Sequence, residues 1–143
     1  MTVIVCIDTG RGMTFSGRRQ SADSVLRDRV ISLSAGKELY MNSYSASQFD
    51  EDGKTDITVS DDPPLGKDAV WFVEDVDPAP YASGAERLVI YRWNRTYPRE
   101  LLFTLDPYGS GMKLESIRDF KGSSHPRITE EIWVRPDTEA EYE

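Results

Sequence analysis

The residues able to do chemistry in this chain are few, and their scarcity is the first constraint. A single histidine, His125, and a single cysteine, Cys6, stand among 143 residues. There is no C-x-x-C, no H-E-x-x-H and no acidic calcium loop. A zinc site needs several His, Cys or carboxylate ligands at set spacings, so a zinc hydrolase does not fit and no metal is expected. Glu51/Asp52 and Asp61/Asp62 sit in turn-like sequence and read as solvated loop acids rather than a magnesium site. No G-x-S-x-G elbow is present. Gly10 and Gly12 open like a dinucleotide-binding fingerprint, but Phe15 stands where the third glycine must let helix and strand approach. Gly109-Ser-Gly-Met-Lys113 lacks the spacing of a phosphate loop and reads as a turn.

Two segments have more to offer. The first is Gly17-Arg18-Arg19-Gln20-Ser21-Ala22-Asp23, between the first strand and the first helix. In an open sheet, ligands bind outside the carboxyl ends of the parallel strands, which is where this segment departs. Arg18 and Arg19 suit an anion or a partner there, or are plain surface charges. Asp23 falls in the first helical turn, where the dipole favours a negative charge with or without a ligand. The second segment, Lys121-Gly-Ser-Ser-His-Pro126, carries small hydroxyls and exposed amides. It suits an anion or a simple hairpin connection, and His125 reads as a loop histidine rather than a catalyst.

The elements that must position these residues follow from hydrophobic periodicity. Thr2–Asp8 and Ala69–Glu74 are continuous apolar runs, the pattern of strands buried on both faces. Thr9–Gly17 reads as a loop. Ala22, Val25, Leu26, Val30 and Leu33 follow helical spacing, which predicts a helix over Ser21–Ala35 with Ser21 as N-cap and Gly36 as the stop. Lys37–Met41 and Asp56–Ser60 read as strands. Asn42 or Ser43 caps a short helix to Phe49, and Phe49–Thr55 reads as a polar turn region. Asp77–Tyr81 reads as a turn or one short helix. Arg87–Arg92 and Leu101–Leu105 are further strands, and Met112–Ile117 with Ile128–Arg135 forms an antiparallel pair. In the last strand Ile128, Ile132 and Val134 share a face on which Glu130 is the odd member. Early strand–helix alternation and late antiparallel pairing predict an α/β fold whose mixed, mostly parallel central sheet ends in antiparallel strands.

Composition bounds the partners. The formal net charge is -8, which argues against nucleic acid and anionic membrane, since each phosphate neutralised needs a cation. No window of 18 uncharged apolar residues exists, and the N-terminus lacks a basic segment before its apolar run, so a cytoplasmic protein is expected. Cys6 lies in a buried run and has no partner for an internal bridge. Residues 1–135 read as one α/β domain. Residues 136–143, with acids Asp137, Glu139, Glu141 and Glu143 and no base, read as a disordered tail.

The order of elements resembles dihydrofolate reductase, in a reduced size. Glu86–Tyr91, Pro98–Leu105, Met112–Phe120 and Ile128–Arg135 are similar to that family's final strands. Gln20-Ser-Ala-Asp23 falls where the family has "L-P-x-D", and Ala35–Met41 is similar to "xGKPVIMG". The chain also resembles Gram-positive bacterial proteins of unassigned function sharing its RRQS-x-D, N-S-Y-S and W-N-R-x-Y-P stretches. Some of those are labelled ribonuclease Z, a label at odds with a single histidine. The reductase resemblance implies a substrate-side role for Asp23 and a cofactor site at the strand ends. The cofactor motifs depart from it: Asn42-Ser-Tyr-Ser45 replaces the phosphate-binding Arg-x-Thr, and Glu74-Asp75 replaces Gly-Gly. Side chains there block backbone approach, and carboxylates repel a pyrophosphate. Ser60–Ala69 is also too short for the helix and strand that normally cradle the adenosine.

The resulting expectation is a small-molecule-binding protein, its ligand nucleotide- or pteridine-like, without NADPH-dependent reductase activity and with no cofactor. The candidate ligand-binding residues are Arg18, Arg19, Gln20, Ser21, Asp23, Asn42, Ser43 and Tyr44, with Asp23 pairing a ring nitrogen or amine. Catalytic roles are unassigned. Two alternatives are a protein-interaction module using Arg18, Arg19 and exposed Trp93 and Tyr97, and an NADPH reductase with rebuilt contacts.

Overall fold

The structure, a computed structural model, describes residues 1–49 and 56–136. In chain order its elements are β1 (Thr2–Ile7), β2 (Gly12–Phe15), β3 (Arg18–Arg19), α1 (Ser24–Leu33), β4 (Glu38–Met41), α2 (Ser43–Phe49), β5 (Ile57–Val59), β6 (Ala69–Phe72), a 3-10 segment (Ala79–Gly84), β7 (Arg87–Arg92), β8 (Leu101–Leu102), β9 (Lys113–Phe120) and β10 (Ile128–Val134). Seven strands form one sheet in the order β5-β4-β6-β1-β7-β10-β9, and β3-β2-β8 form a second, small sheet. The five strands from β5 to β7 are parallel, and β10 and β9 close the far edge antiparallel.

The apolar runs lie where their composition requires. β1 and β6 are central neighbours, and alternate residues of β1 enter two cores. Ile4 packs with Leu26 and Val30 of α1 and with Ala46 and Phe49 of α2, so both helices cover one face. Val3, Val5 and Ile7 pack with Met13, Phe103 and Met112, so the small sheet and its connections cover the other. Covering both faces removes the period-two polar alternation of a half-exposed strand.

Three expectations are corrected. Thr9–Gly17 is not only a loop, because β2 occupies Gly12–Phe15 and pairs with β3 and β8. Leu101–Leu105 contributes only two strand residues, and these belong to the small sheet. The first helix starts at Ser24, not Ser21, because the Asp23 carboxylate accepts from the Val25 and Leu26 amides and is the N-cap. Asn42 caps α2, its Oδ1 accepting from the Ser45 N–H at 2.9 Å. The polar turn over residues 50–55, including Glu51/Asp52, lies outside the described residues, as does the acidic segment beyond Pro136. Among the described residues no helix is long and apolar enough to cross a membrane.

Glu130, the odd member of its strand face, is fully buried at 0% exposure. Arg29 of α1 grips it with Nε donating to Oε2 at 2.6 Å and Nη2 to Oε1 at 3.1 Å, and the Tyr91 hydroxyl donates to Oε2 at 2.9 Å. The pair bolts α1 to the sheet, and burial beside Glu130 pushes the Tyr91 hydroxyl far above its ordinary pKa. The neighbouring Glu131 pairs with Arg92 at 2.6 Å and accepts from the Trp133 indole at 3.0 Å, but its side chain keeps 10% exposure. Removing one partner of a buried pair strands the other, at a cost of about 3–5 kcal/mol. Arg29→Ala is expected to lose stability in that range in urea unfolding, and Arg92→Ala clearly less. Equal losses would show that burial of Glu130 is not what matters.

Candidate functional site

The loop between β9 and β10 and the segment before α1 are about a hundred residues apart in sequence and meet at one carboxylate. Asp23 has a side-chain exposure of 0%. Its Oδ1 accepts from Val25 N at 2.9 Å, Leu26 N at 3.3 Å and Ser123 N at 2.9 Å. Its Oδ2 accepts from Ser124 N at 2.9 Å, the Ser124 hydroxyl at 3.3 Å and His125 Nδ1 at 2.9 Å. Burial alone would raise the Asp23 pKa, but the Ser124 amide, the His125 ring and the Ser123 and Leu26 amides outweigh it and hold the carboxyl well below the usual range. The loop comes this close because residue 122 has no side chain. A Cβ built on Gly122 would lie 2.7 Å from Asp23 Cγ and 2.9 Å from Oδ1.

His125 is 3% exposed and its ring stacks on Trp93, with centroids 4.6 Å apart. Because Asp23 is ionised and can only accept, Nδ1 carries the proton of that contact. The other nitrogen, Nε2, is 2.8 Å from Ser21 Oγ and 3.3 Å from the Tyr97 hydroxyl, which is itself 3.5 Å from Ser21 Oγ. Ser21 is half-buried. The result is a continuous line, Ser21 to His125 to Asp23, with Tyr97 beside its outer end. Tyr97 is held in turn by Asp8, a fully buried residue whose Oδ2 accepts the Tyr97 N–H at 3.0 Å. Asp8 Oδ1 also gathers the Gly10 and Gly12 amides at 2.9 and 2.7 Å, closing the turn into β2.

A cavity of about 420 Å³ opens next to this line, walled by Phe15, Ser16, Arg18, Arg19, Gln20, Tyr97 and Pro98. Gln20 Nε2 donates to Pro98 O at 3.2 Å, while Gln20 Oε1 is buried and has no hydrogen-bond partner. Arg18 is exposed at the mouth. Arg19 faces inward: its guanidinium spans Glu74 at 3.0 and 3.3 Å, lies 4.2 Å from the Tyr44 ring centroid and donates to Tyr44 O at 3.1 Å. Its backbone N–H donates to the Tyr44 hydroxyl at 2.8 Å, and Gln48 adds a 3.0 Å bond to Glu74. Burial and the nearby Glu74 charge both push the Cys6 thiol up, so it is protonated at neutral pH.

The eight residues expected to line one cleft therefore divide among three places. Arg18, Arg19 and Gln20 line the cavity, Ser21 lies just behind it between Gln20 and the Tyr97 hydroxyl, and Tyr44 joins them through Arg19. Asp23 turns inward and serves the β9–β10 loop. Asn42 donates to Asp75 at 2.8 Å beside a second cavity of about 270 Å³, and Ser43 is exposed at the start of α2. Of the two aromatics expected to be exposed for a partner, Trp93 is 4% exposed beneath His125, where its ring covers the apolar β1–β7 face, and Tyr97 is half-buried against the same core. His125, expected as a plain loop residue, is instead held between Asp23 and Trp93. A lone histidine in a hydroxyl-rich loop gives no local sign of a carboxylate contributed by an N-cap far earlier in the chain. Among the described residues no group of three or more His, Cys, Asp or Glu could hold a metal ion. No protein-family model matches this chain, and no curated protein matches it at a significant level.

Asp23 has a depressed folded-state pKa, so its stabilisation is complete above the unfolded value of about 3.9 and is lost as pH falls below it. Urea unfolding between pH 6 and pH 3 should show wild type losing more stability than Asp23→Asn, with the gap closing on the acid side. Gly122→Ala should lower stability by about 1–3 kcal/mol at pH 7, because its methyl group drives the loop off the carboxylate. A Gly122→Ala melt identical to wild type would show that this close approach is not needed.

Proposed function

We propose that this chain is a small-molecule-binding protein on a reduced dihydrofolate reductase-like scaffold that does not use NADPH. The scaffold reading is supported by the parallel strands β5 to β7 and the closing antiparallel pair, an order that follows the elements on which the resemblance rests. Binding is assigned to the cavity of about 420 Å³, and one observation carries it: the buried, unpartnered Gln20 Oε1 beside Arg18, Phe15 and Tyr97. A buried acceptor without a donor costs stability unless a bound group or water supplies one. The ligand that suits these walls is a small planar ring with an N–H for Gln20 and an anionic substituent for Arg18, a description met by nucleotide- or pteridine-like compounds. An amine aimed at Asp23 suits them poorly, since six donors of the protein already surround that carboxylate.

The region where the resemblance would seat the dinucleotide does not fit one. The cavity at the ends of β4, β5 and β6 is lined by Asp61 and Asp75 and by no cation. Glu74, expected to repel phosphates there, is instead paired with Arg19, whose guanidinium also contacts Tyr44 of α2.

Thermal melts with micromolar NADPH are expected to show no rise. Pterin-6-carboxylate or a nucleoside monophosphate should raise the melting temperature, since a ligand at a hundred times its Kd adds about 2.7 kcal/mol. Arg18→Ala should weaken that binding about tenfold without changing the melt of the free protein. A rise with NADPH, or no rise with either anionic ring, would refute the reading.

A further inference from the structure

We propose that Ser21, His125 and Asp23 form a nucleophilic site that hydrolyses a small carboxylic ester held in the adjoining cavity. The proposal takes its substrate from the binding reading above and adds the reaction. Nucleophilic hydroxyl catalysis needs a base within hydrogen-bond reach and a third group that fixes the base's orientation and tautomer. Here Ser21 Oγ lies 2.8 Å from His125 Nε2, and His125 Nδ1 lies 2.9 Å from Asp23 Oδ2. Asp23 accepts from Nδ1, which turns Nε2 toward Ser21, the position of the base. Trp93 packs flat on the imidazole and holds its plane. A serine just before a helix rather than in a strand–helix elbow, with no G-x-S-x-G around it, explains why no motif announces them.

The substrate comes from the walls. Gln20 and Tyr97 both line the cavity, and both adjoin Ser21, one in sequence and one through its hydroxyl. Arg18 at the mouth suits an ester carrying a carboxylate, and Phe15 suits an apolar ring. As the Ser21 oxygen bonds to the ester carbonyl carbon, its proton passes to His125 Nε2. The Tyr97 hydroxyl, 3.5 Å from Ser21 Oγ, is placed to donate to the carbonyl oxygen as it becomes negative. The bond from carbon to the alcohol oxygen then breaks, and His125 returns the proton to that alcohol. Water repeats the sequence on the acyl-serine, giving a carboxylic acid and restoring Ser21 and His125. The balance is one ester and one water to one acid and one alcohol, with no redox change.

The test uses a fluorophosphonate probe with peptide mapping, and 4-nitrophenyl hydrogen succinate as an anionic chromogenic ester. Wild type is expected to carry one adduct, on Ser21, and to hydrolyse the ester. Ser21→Ala should lose both. His125→Gln should slow labelling by about 100-fold, the low end for a general base, and Tyr97→Phe should lower kcat by about the same factor with little change in KM. Circular dichroism melts of each variant separate loss of chemistry from loss of fold, and Ser21→Ala, at a half-buried position, is the variant least able to unfold the chain. No adduct on Ser21 in folded wild type, an adduct on Ser123 or Ser124 instead, or ester hydrolysis unchanged in Ser21→Ala would each overturn the proposal. If those results come while pterin-6-carboxylate still binds through Arg18, the catalytic site falls and the binding reading stands. Labelled Ser21 without anion binding would keep the nucleophile and remove the ligand class.

Discussion

The Asp23 carboxylate is the constraint on which the rest of this structure depends. A fully buried carboxylate is costly unless its lone pairs are filled, and here backbone amides from two distant segments fill them. Two of its donors start α1 and four belong to the loop between β9 and β10. One side chain thus joins the first helix to the last hairpin, and the loop can reach it only through the bare backbone of Gly122. Because each segment satisfies the other's polar groups, neither arrangement is complete alone.

The same logic recurs across the helix-bearing face. Glu130, fully buried, answers Arg29 of α1 and the Tyr91 hydroxyl, so α1 is tied at its N-terminus by Asp23 and along its length by Glu130. Arg19 answers Glu74 and Tyr44 and so draws β3 down against α2. Each of these contacts spans tens of residues of chain. Together they give the buried carboxylates Asp23, Glu74 and Glu130 their partners, and they decide which polar groups nearby remain to meet a ligand.

What remains is a small set at one rim. Asp8 closes the turn into β2 and holds the Tyr97 amide, which brings the Tyr97 hydroxyl beside Ser21. Arg18, next in sequence to a half-buried arginine, stays at the surface because successive residues of a strand point to opposite sides. The cavity and the Ser21–His125–Asp23 line therefore meet at Tyr97 and Gln20: the carboxylate's structural task orients the imidazole, and the imidazole's outer nitrogen faces the serine beside those two lining residues.

The sequence by itself determined the layers. The apolar runs within Thr2–Asp8 and Ala69–Glu74 suit strands covered on both faces, and they supply the central parallel pair β1 and β6. Helical spacing from Ala22 to Leu33 marked α1, and the late apolar runs marked the antiparallel closing strands. Those signals are local, since solvent exclusion acts on each segment's own periodicity. The segment Gly17–Asp23 was also legible as a place where chemistry could gather, from its position at a strand end. The tertiary structure alone decided what those residues do. Arg18 and Arg19 look alike in the chain, yet one is exposed and the other is paired with Glu74, 55 residues away. Asp23 looked like a ligand's partner and is instead spent on Ser123, Ser124 and His125, while the lone histidine gained a role that its neighbours do not hint at. Charge and hydrogen-bond pairing over such separations is set by packing, because the partner of a buried polar group is whichever complementary group the fold brings within 3 Å. No local pattern records that distance.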